Sequence, residues 1–176
     1  MDGYVGYAPR TIDYDVDNIF DDDEKIGDFT VIPTLGHTEG HSGFLLDDVL
    51  FSGDNILSHT LEIIFPFMLG EKLGYVNYFK SLARVRQLVE SGQIKTILPS
   101  HEQTITDPMR RMETIDSAQK RHFNKIRRYA EPLIEAGINP MSHTYEISKK
   151  IYPTPPEAFA FFCFFDVAPR MEYLYI

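Results

Sequence analysis

Phe29-Thr30-Val31-Ile32-Pro33-Thr34-Leu35-Gly36-His37-Thr38-Glu39-Gly40-His41 is a run of apolar and β-branched residues that breaks into a glycine-punctuated loop. This composition predicts a strand followed by a turn, with His37 just past the strand end. Downstream, Gly43-Phe44-Leu45-Leu46 and Val49-Leu50-Phe51-Ser52 flank the pair Asp47-Asp48, the pattern of a tight hairpin whose second strand ends at Gly53-Asp54. From Tyr75 the apolar positions Tyr75, Tyr78, Phe79, Leu82, Val85, Leu88 and Val89 recur at helical spacing until Ser91-Gly92 stops them. Lys95-Thr96-Ile97-Leu98-Pro99 reads as a short buried strand that delivers Ser100-His101 at its C-terminal end. The order strand, hairpin, helix, strand, with polar residues gathered at strand ends, predicts α/β layering.

The flanks are less periodic. Residues 1–27 are rich in Asp, Gly and Tyr and carry the acidic run Asp21-Asp22-Asp23-Glu24, so an irregular, solvated lead-in is expected there. A calcium loop would need alternating ligands and a glycine turn, which this run lacks. Asp107-Pro108 is an N-cap followed by proline at the first helical position, and Met109, Met112, Ile115, Phe123, Ile126, Tyr129, Ala130, Leu133 and Ile134 follow at helical intervals. One long helix to a stop at Gly137 is predicted. Ser142 is placed to cap a short helix through Ile151, and Thr154-Pro155-Pro156 to open another that Pro169 interrupts. The expected organisation is an α/β domain over residues 1–105 and a long helix with a small helical appendage over 106–176.

Composition narrows the function classes. With 176 residues, 43% of them hydrophobic, the chain can bury one core and a small appended one. Seventeen Lys and Arg against 26 Asp and Glu give a formal net charge of -9, which argues against nucleic acid as a partner. Even the Phe-rich stretch Ala158 to Phe165 soon meets Asp166, so no membrane span is expected. The single cysteine, Cys163, excludes a disulfide within the chain and a cysteine-based zinc knuckle. Met1-Asp2-Gly3-Tyr4 lacks the regions of a signal peptide, and a cytoplasmic location is the expectation. Cys163 sits in an aromatic run, where buried packing is expected rather than catalysis.

Three segments carry chemistry: Gly36-His37-Thr38-Glu39-Gly40-His41, Phe51-Ser52-Gly53-Asp54 and Leu98-Pro99-Ser100-His101. Neutral imidazole and carboxylate are the ligands that zinc and similar divalent ions take, and strand ends hold such side chains with little rotamer freedom. A strand-end histidine alone is usually structural or solvated; the ordered set of three is the signal. His41 lies in a Gly-broken loop, where a hydrogen-bonding role is expected. His59 and His143 are expected to be exposed, and His122 to pack or face solvent on the long helix.

Taken in order, the three segments resemble the third, fourth and fifth motifs of the metallo-β-lactamase superfamily, over roughly residues 17–136. The resemblance implies the C-terminal half of an αββα sandwich, with His37, Asp54 and His101 as metal positions and Asp54 bridging two ions. It implies zinc as the cofactor and hydrolysis of a small-molecule ester, thioester or phosphoester. The tail, with Thr144-Tyr145-Glu146-Ile147-Ser148, resembles the winged-helix-like appendage of one branch of that superfamily.

The superfamily's His-x-His-x-Asp-His motif occurs nowhere in this sequence. A truncated or degenerate copy, inactive alone, is therefore expected, with one side of its sheet uncovered. The rival expectation is a non-catalytic subunit that pairs with a second copy or a complementing chain through its sheet and aromatic tail.

Overall fold

Val31 and Ile32 are the buried centre of the strand predicted upstream of His37. In the computed structural model, which describes residues 19–155 and 160–176, that strand is the second of five in one sheet of order β1-β2-β3-β4-β5. The strands are β1 (Lys25–Ile26), β2 (Phe29–Pro33), β3 (Ser42–Leu46), β4 (Val49–Gly53) and β5 (Thr96–Pro99). The first four pair antiparallel in sequence order, and β5 joins β4 in parallel. A parallel neighbour needs a crossover, and helix α1 (Gly74–Glu90) supplies it. Asp47 adopts φ 52 at the β3–β4 turn, as a two-residue hairpin loop requires.

Alternation decides which sheet face is covered. Ile32, Leu50 and Ile97 point to one face, where Tyr75, Tyr78, Leu82 and Val85 of α1 meet them. Met112, Ile115 and Phe123 of helix α2 (Pro108–Glu135) complete this core. The side chains that alternate with these, Phe44 and Phe51, are each 38% exposed, and both rings meet Phe29 edge-on. The open face predicted for half a sandwich is thus a stripe of aromatic rings.

A second, smaller core joins Ile126 and Ala130 of α2 to Ile147 of helix α3 (Thr144–Ile151) and to Val167 and Met171 of helix α4 (Ala160–Tyr175). Glu172 ties this tail back to the sheet side by accepting the backbone N–H groups of Phe67 and Met68 at 2.5 and 2.9 Å. Asp107 caps α2 as predicted, accepting from the Arg110 N–H at 3.1 Å. The helix closes ahead of Gly137, at φ 72.

Several expectations need correction. The lead-in contains strand β1, and its acidic run is a turn rather than a loose loop. The Asp23 N–H donates to the Val31 carbonyl at 3.0 Å, and its carboxylate pairs with Arg84 on α1 at 2.8 Å. What was expected of residues 1–18 lies outside the described residues; of the helix that Thr154-Pro155-Pro156 was expected to open, Thr154 and Pro155 are not helical and Pro156 lies outside the described residues. Ser142 does not cap α3: it sits inside a 3-10 turn, Pro140–His143, and its hydroxyl donates to the Asn139 carbonyl.

Pro169 does not interrupt α4, which runs through it. An interior proline costs a helix about 3 kcal/mol. Burial of Val167 and Met171 outweighs that, at roughly 1.5–3 kcal/mol for each such side chain. Cys163 is half-buried at the side of a cavity rather than packed in a core. Phe161 and Phe162 of the aromatic run remain largely exposed.

Candidate metal centre

Chain direction brings His37, Asp54 and His101 together. Strands β2 and β4 are each antiparallel to β3 and so run the same way, and β5 is parallel to β4. The C-terminal ends of β2, β4 and β5 therefore share one rim of the sheet, the edge at which α/β sheets present ligand-binding groups. Asp54 follows β4 directly, His101 follows β5 after Ser100, and His37 lies in the loop after β2.

Asp54 stands between the two histidines and turns one oxygen to each. The His37 Nε2 lies 3.7 Å from Oδ2, and the His101 Nε2 lies 3.4 Å from Oδ1. The Ser100 hydroxyl donates to Oδ1 as well. The His37 Nδ1 lies 2.5 Å from the Ile63 carbonyl, which can only accept, so the ring proton sits on Nδ1. In the neutral ring Nε2 is then a lone pair facing a carboxylate oxygen, an arrangement that a cation, a proton or a donating water between them relieves. A backbone carbonyl on the far nitrogen is also the usual way a ligating imidazole is held.

His41 is engaged differently. Its Nε2 accepts the backbone N–H of Asp54 at 3.1 Å, which leaves Nδ1–H to donate to the Thr34 hydroxyl at 2.7 Å. Burial, and then the neighbouring His37, lower its pKa, which keeps the ring neutral for this double role. His41 thus shapes the loop, as its Gly-broken setting predicted.

Two glycines make these approaches sterically feasible. At Gly36 (φ 116) a Cβ would lie 2.6 Å from the Tyr78 Cβ, so the loop can lie flat on α1 only without a side chain. At Gly53 (φ 55) a Cβ would lie 2.6 Å from the His41 Nε2. Gly53→Ala is expected to destabilise the chain by about 1–2 kcal/mol for the left-handed backbone alone. It should also displace the His41 ring from the Asp54 N–H. Urea denaturation and the His41 imidazole resonances would check both effects, and an unchanged midpoint would contradict this account of Gly53.

Other contributors were not foreseen. Glu102, in the left-handed region at φ 72, accepts from the Ser58 hydroxyl at 3.0 Å and the His59 N–H at 2.6 Å. It also accepts from the Thr60 N–H and hydroxyl at 3.2 and 2.6 Å. Burial acts to raise its pKa, but these hydrogen bonds outweigh it and hold the carboxyl at about 2. The clamp fixes the loop after Asp54 beside His101. The Phe65 ring packs 5.8 Å from His37. His122 pairs with Asp166 at 3.1 Å, away from this rim. Ser100 and Glu102 flank His101 in the sequence, and that was the available signal; nothing in linear order links Ile63 to the rim.

The donor types suit a borderline divalent ion, and the distances are near the edge of a zinc tetrahedron, roughly 3–4 Å between ligand atoms. Among the described residues, no group of three or more His, Cys, Asp and Glu side chains is arranged to hold a metal. The rim sets one imidazole nitrogen against one carboxylate oxygen on each side of Asp54.

The comparisons with known proteins agree with the sheet and its covering helices. No family model matches the sequence. A metallo-beta-lactamase family protein from Thermus thermophilus superposes with a TM-score of 0.59 at 20% identity, over 83% of this chain and 43% of that one. A beta-lactamase domain protein from Burkholderia ambifaria superposes with a TM-score of 0.67 at 18% identity, over 87% of this chain and 44% of that one. The chain has the metallo-β-lactamase fold. It spans less than half the length of these two structures, as one sheet with helices on one face: half of an αββα sandwich.

Proposed function

We propose that this chain carries one wall of a dinuclear metal centre in a metal-dependent hydrolase of the metallo-β-lactamase fold. Esters, thioesters or phosphoesters are its substrate class, and the chain alone is too poorly supplied with ligands to be active. The observation that carries this reading is Asp54, which offers one carboxylate oxygen to each of two imidazoles, at 3.7 and 3.4 Å. His37 would hold one ion and His101 the other, with Asp54 shared between them. Zinc bound there supplies Lewis-acid polarisation of the substrate oxygen and a water acidified toward neutrality.

The chain's own groups orient these ligands. The Ile63 carbonyl fixes the His37 tautomer, His41 holds the Asp54 backbone, and Ser100 steadies the carboxylate. His101, with 71% of its side chain exposed, is open to substrate or to further ligands. Helices α3 and α4 would belong to the helical appendage of the winged-helix-bearing branch. The one cysteine in the sequence suits a cytoplasmic setting, and among the described residues no helix is long and apolar enough to cross a membrane.

Zinc titration by calorimetry at neutral pH tests the site. With two protein donors per ion, a dissociation constant above about 1 μM is expected, weaker than roughly 8 kcal/mol. Asp54→Ala should weaken it by more than about a hundredfold, beyond the loss typical of removing an outer-shell partner. Tight binding that survives His37→Ala and His101→Ala together would place the metal elsewhere and defeat the proposal.

A second reading rests on the aromatic stripe of Phe29, Phe44 and Phe51. In that reading the chain is a non-catalytic subunit whose open sheet face packs on a complementing chain or a second copy. Sedimentation would favour it if the chain dimerises through this face and binds no zinc.

A further inference from the structure

Between β4 and α1 the chain runs as a strap whose backbone pairs with no strand. Leu57, Glu62 and Ile64 along it are buried, yet residues 57–65 make no backbone-to-backbone hydrogen bond among the described residues. Buried backbone groups need partners, and here side chains from elsewhere supply them. At the near end Arg111 donates to the Leu57 and Thr60 carbonyls, and Glu102 accepts from the His59 and Thr60 N–H groups. In the middle the Ile63 carbonyl meets the His37 Nδ1 at 2.5 Å. At the far end the Glu172 carboxylate accepts the Phe67 and Met68 N–H groups, one on each oxygen.

Two contacts with the strap come from α4. Phe165 and Glu172 lie two helical turns apart and so share one face of that helix. Phe165 meets the Phe65 ring at 5.3 Å between centroids, and Phe65 in turn packs 5.8 Å from His37. Glu172, 8% exposed, is the polar tie. Without it, the first hydrogen bond to the rest of the fold after Ile63 would be at Glu71, whose carbonyl accepts from the Asn77 side chain at 2.9 Å.

A neutral imidazole has one N–H, and His37 has an acceptor on each side: the Ile63 carbonyl at Nδ1 and, 3.7 Å from Nε2, the Asp54 Oδ2. At equal reach the carboxylate would take the proton, because a hydrogen bond to an ionised acceptor is roughly twice as strong as one to a neutral acceptor. The carbonyl takes it here because the strap is pinned against the ring. We propose that Glu172 is a positioning residue for His37: its grip on Phe67 and Met68 keeps the Ile63 carbonyl on Nδ1, so the tail helix fixes a lone pair, rather than an N–H, on the nitrogen that faces Asp54. The consequence for metal binding rests on the hydrolase reading; the tautomer does not.

Long-range proton–nitrogen correlation spectra of the full, metal-free chain at about pH 9, where imidazoles are neutral, distinguish the two tautomers. In the native sequence the Nε2–H form of His37 should stay below about a tenth. Glu172→Gln, which leaves one acceptor oxygen for two N–H groups, should raise that form at least about threefold, and Glu172→Ala should make it the major one. Val167→Ala, which loosens α4 at the second core instead, should leave His37 as in the native sequence. His41, whose Nδ1–H is held by Thr34, should keep its form throughout. Zinc affinity should fall by roughly tenfold to a hundredfold in Glu172→Ala, the cost of losing an outer-shell partner. A His37 tautomer unchanged in a folded Glu172→Gln variant, or moved as far by Val167→Ala, would overturn the assignment. A tautomer that shifts while zinc affinity does not would uphold the positioning role and count against the metal reading.

Discussion

Given zinc, the purified chain is expected to hydrolyse aryl esters, thioesters and aryl phosphodiesters no faster than zinc in buffer. Catalytic zinc sites hold an ion with three protein ligands and keep a position open. Here each ion would have one imidazole and a share of one carboxylate, so most positions would fall to water and the ion would be neither fixed nor tuned. Supplying a half-domain of the same fold that bears His-x-His-x-Asp-His, fused or in trans, should raise turnover on the order of a hundredfold or more, the scale of a single well-placed catalytic contribution. Asp54→Ala in that assembly should return the rate to background, because the carboxylate stands between the two histidines. Steady turnover by the chain alone that disappears in Asp54→Ala would make it a self-sufficient enzyme. Turnover in the assembly that persists in Asp54→Ala would remove the rim from the mechanism.

The second large effect concerns stability. Burial lifts the Glu62 carboxyl from 4.5 to about 7, against smaller lowering effects of Tyr78, Arg170 and Arg111. An acid that holds its proton more tightly when folded stabilises the fold fully below its unfolded value. That contribution is lost as pH rises toward 7 and is gone above it. Over a window of this width the loss is about 3 kcal/mol, at about 1.4 kcal/mol per pH unit. Urea denaturation at pH 5 and pH 8 should show this loss in the native sequence, and Glu62→Gln should remove most of it. Equal pH slopes in the two proteins would mean that Glu62 is not buried as described. Asp166 and Glu102 act in the opposite sense. Burial acts to raise both, but their hydrogen bonds, and for Asp166 also the charges of Arg170 and His122, hold each at about 2. They contribute stability above their unfolded values that is lost as pH falls toward 2.

Much of the fold was legible before any coordinates. The runs Val31-Ile32 and Leu50, the helical spacing from Tyr75 to Leu88, and the Asp107-Pro108 start each satisfy a local rule of burial, period or capping. Local and tertiary preferences agree at these positions, so pattern alone sufficed. The rule failed where tertiary packing overrode it. Helix α4 continues through Pro169 because the side chains around it are buried, and β1 forms from Lys25–Ile26 because β2 offers it an edge.

The sequence by itself determined that a histidine, an aspartate and a histidine follow three of its four strand signals. Strand direction then confines them to one rim, because a strand's C-terminal end is set by chain polarity. Only the tertiary structure decided that Asp54 splits its oxygens between the two imidazoles, that the Ile63 carbonyl sets the His37 tautomer, and that Glu62 is buried beside Tyr78. Ile63 is 26 residues from His37, and Glu102 is 42 to 44 residues from the groups it clamps. Hydrogen bonds across such separations depend on how loops cross in space, to within fractions of an ångström. Periodicity and spacing carry no information on that scale.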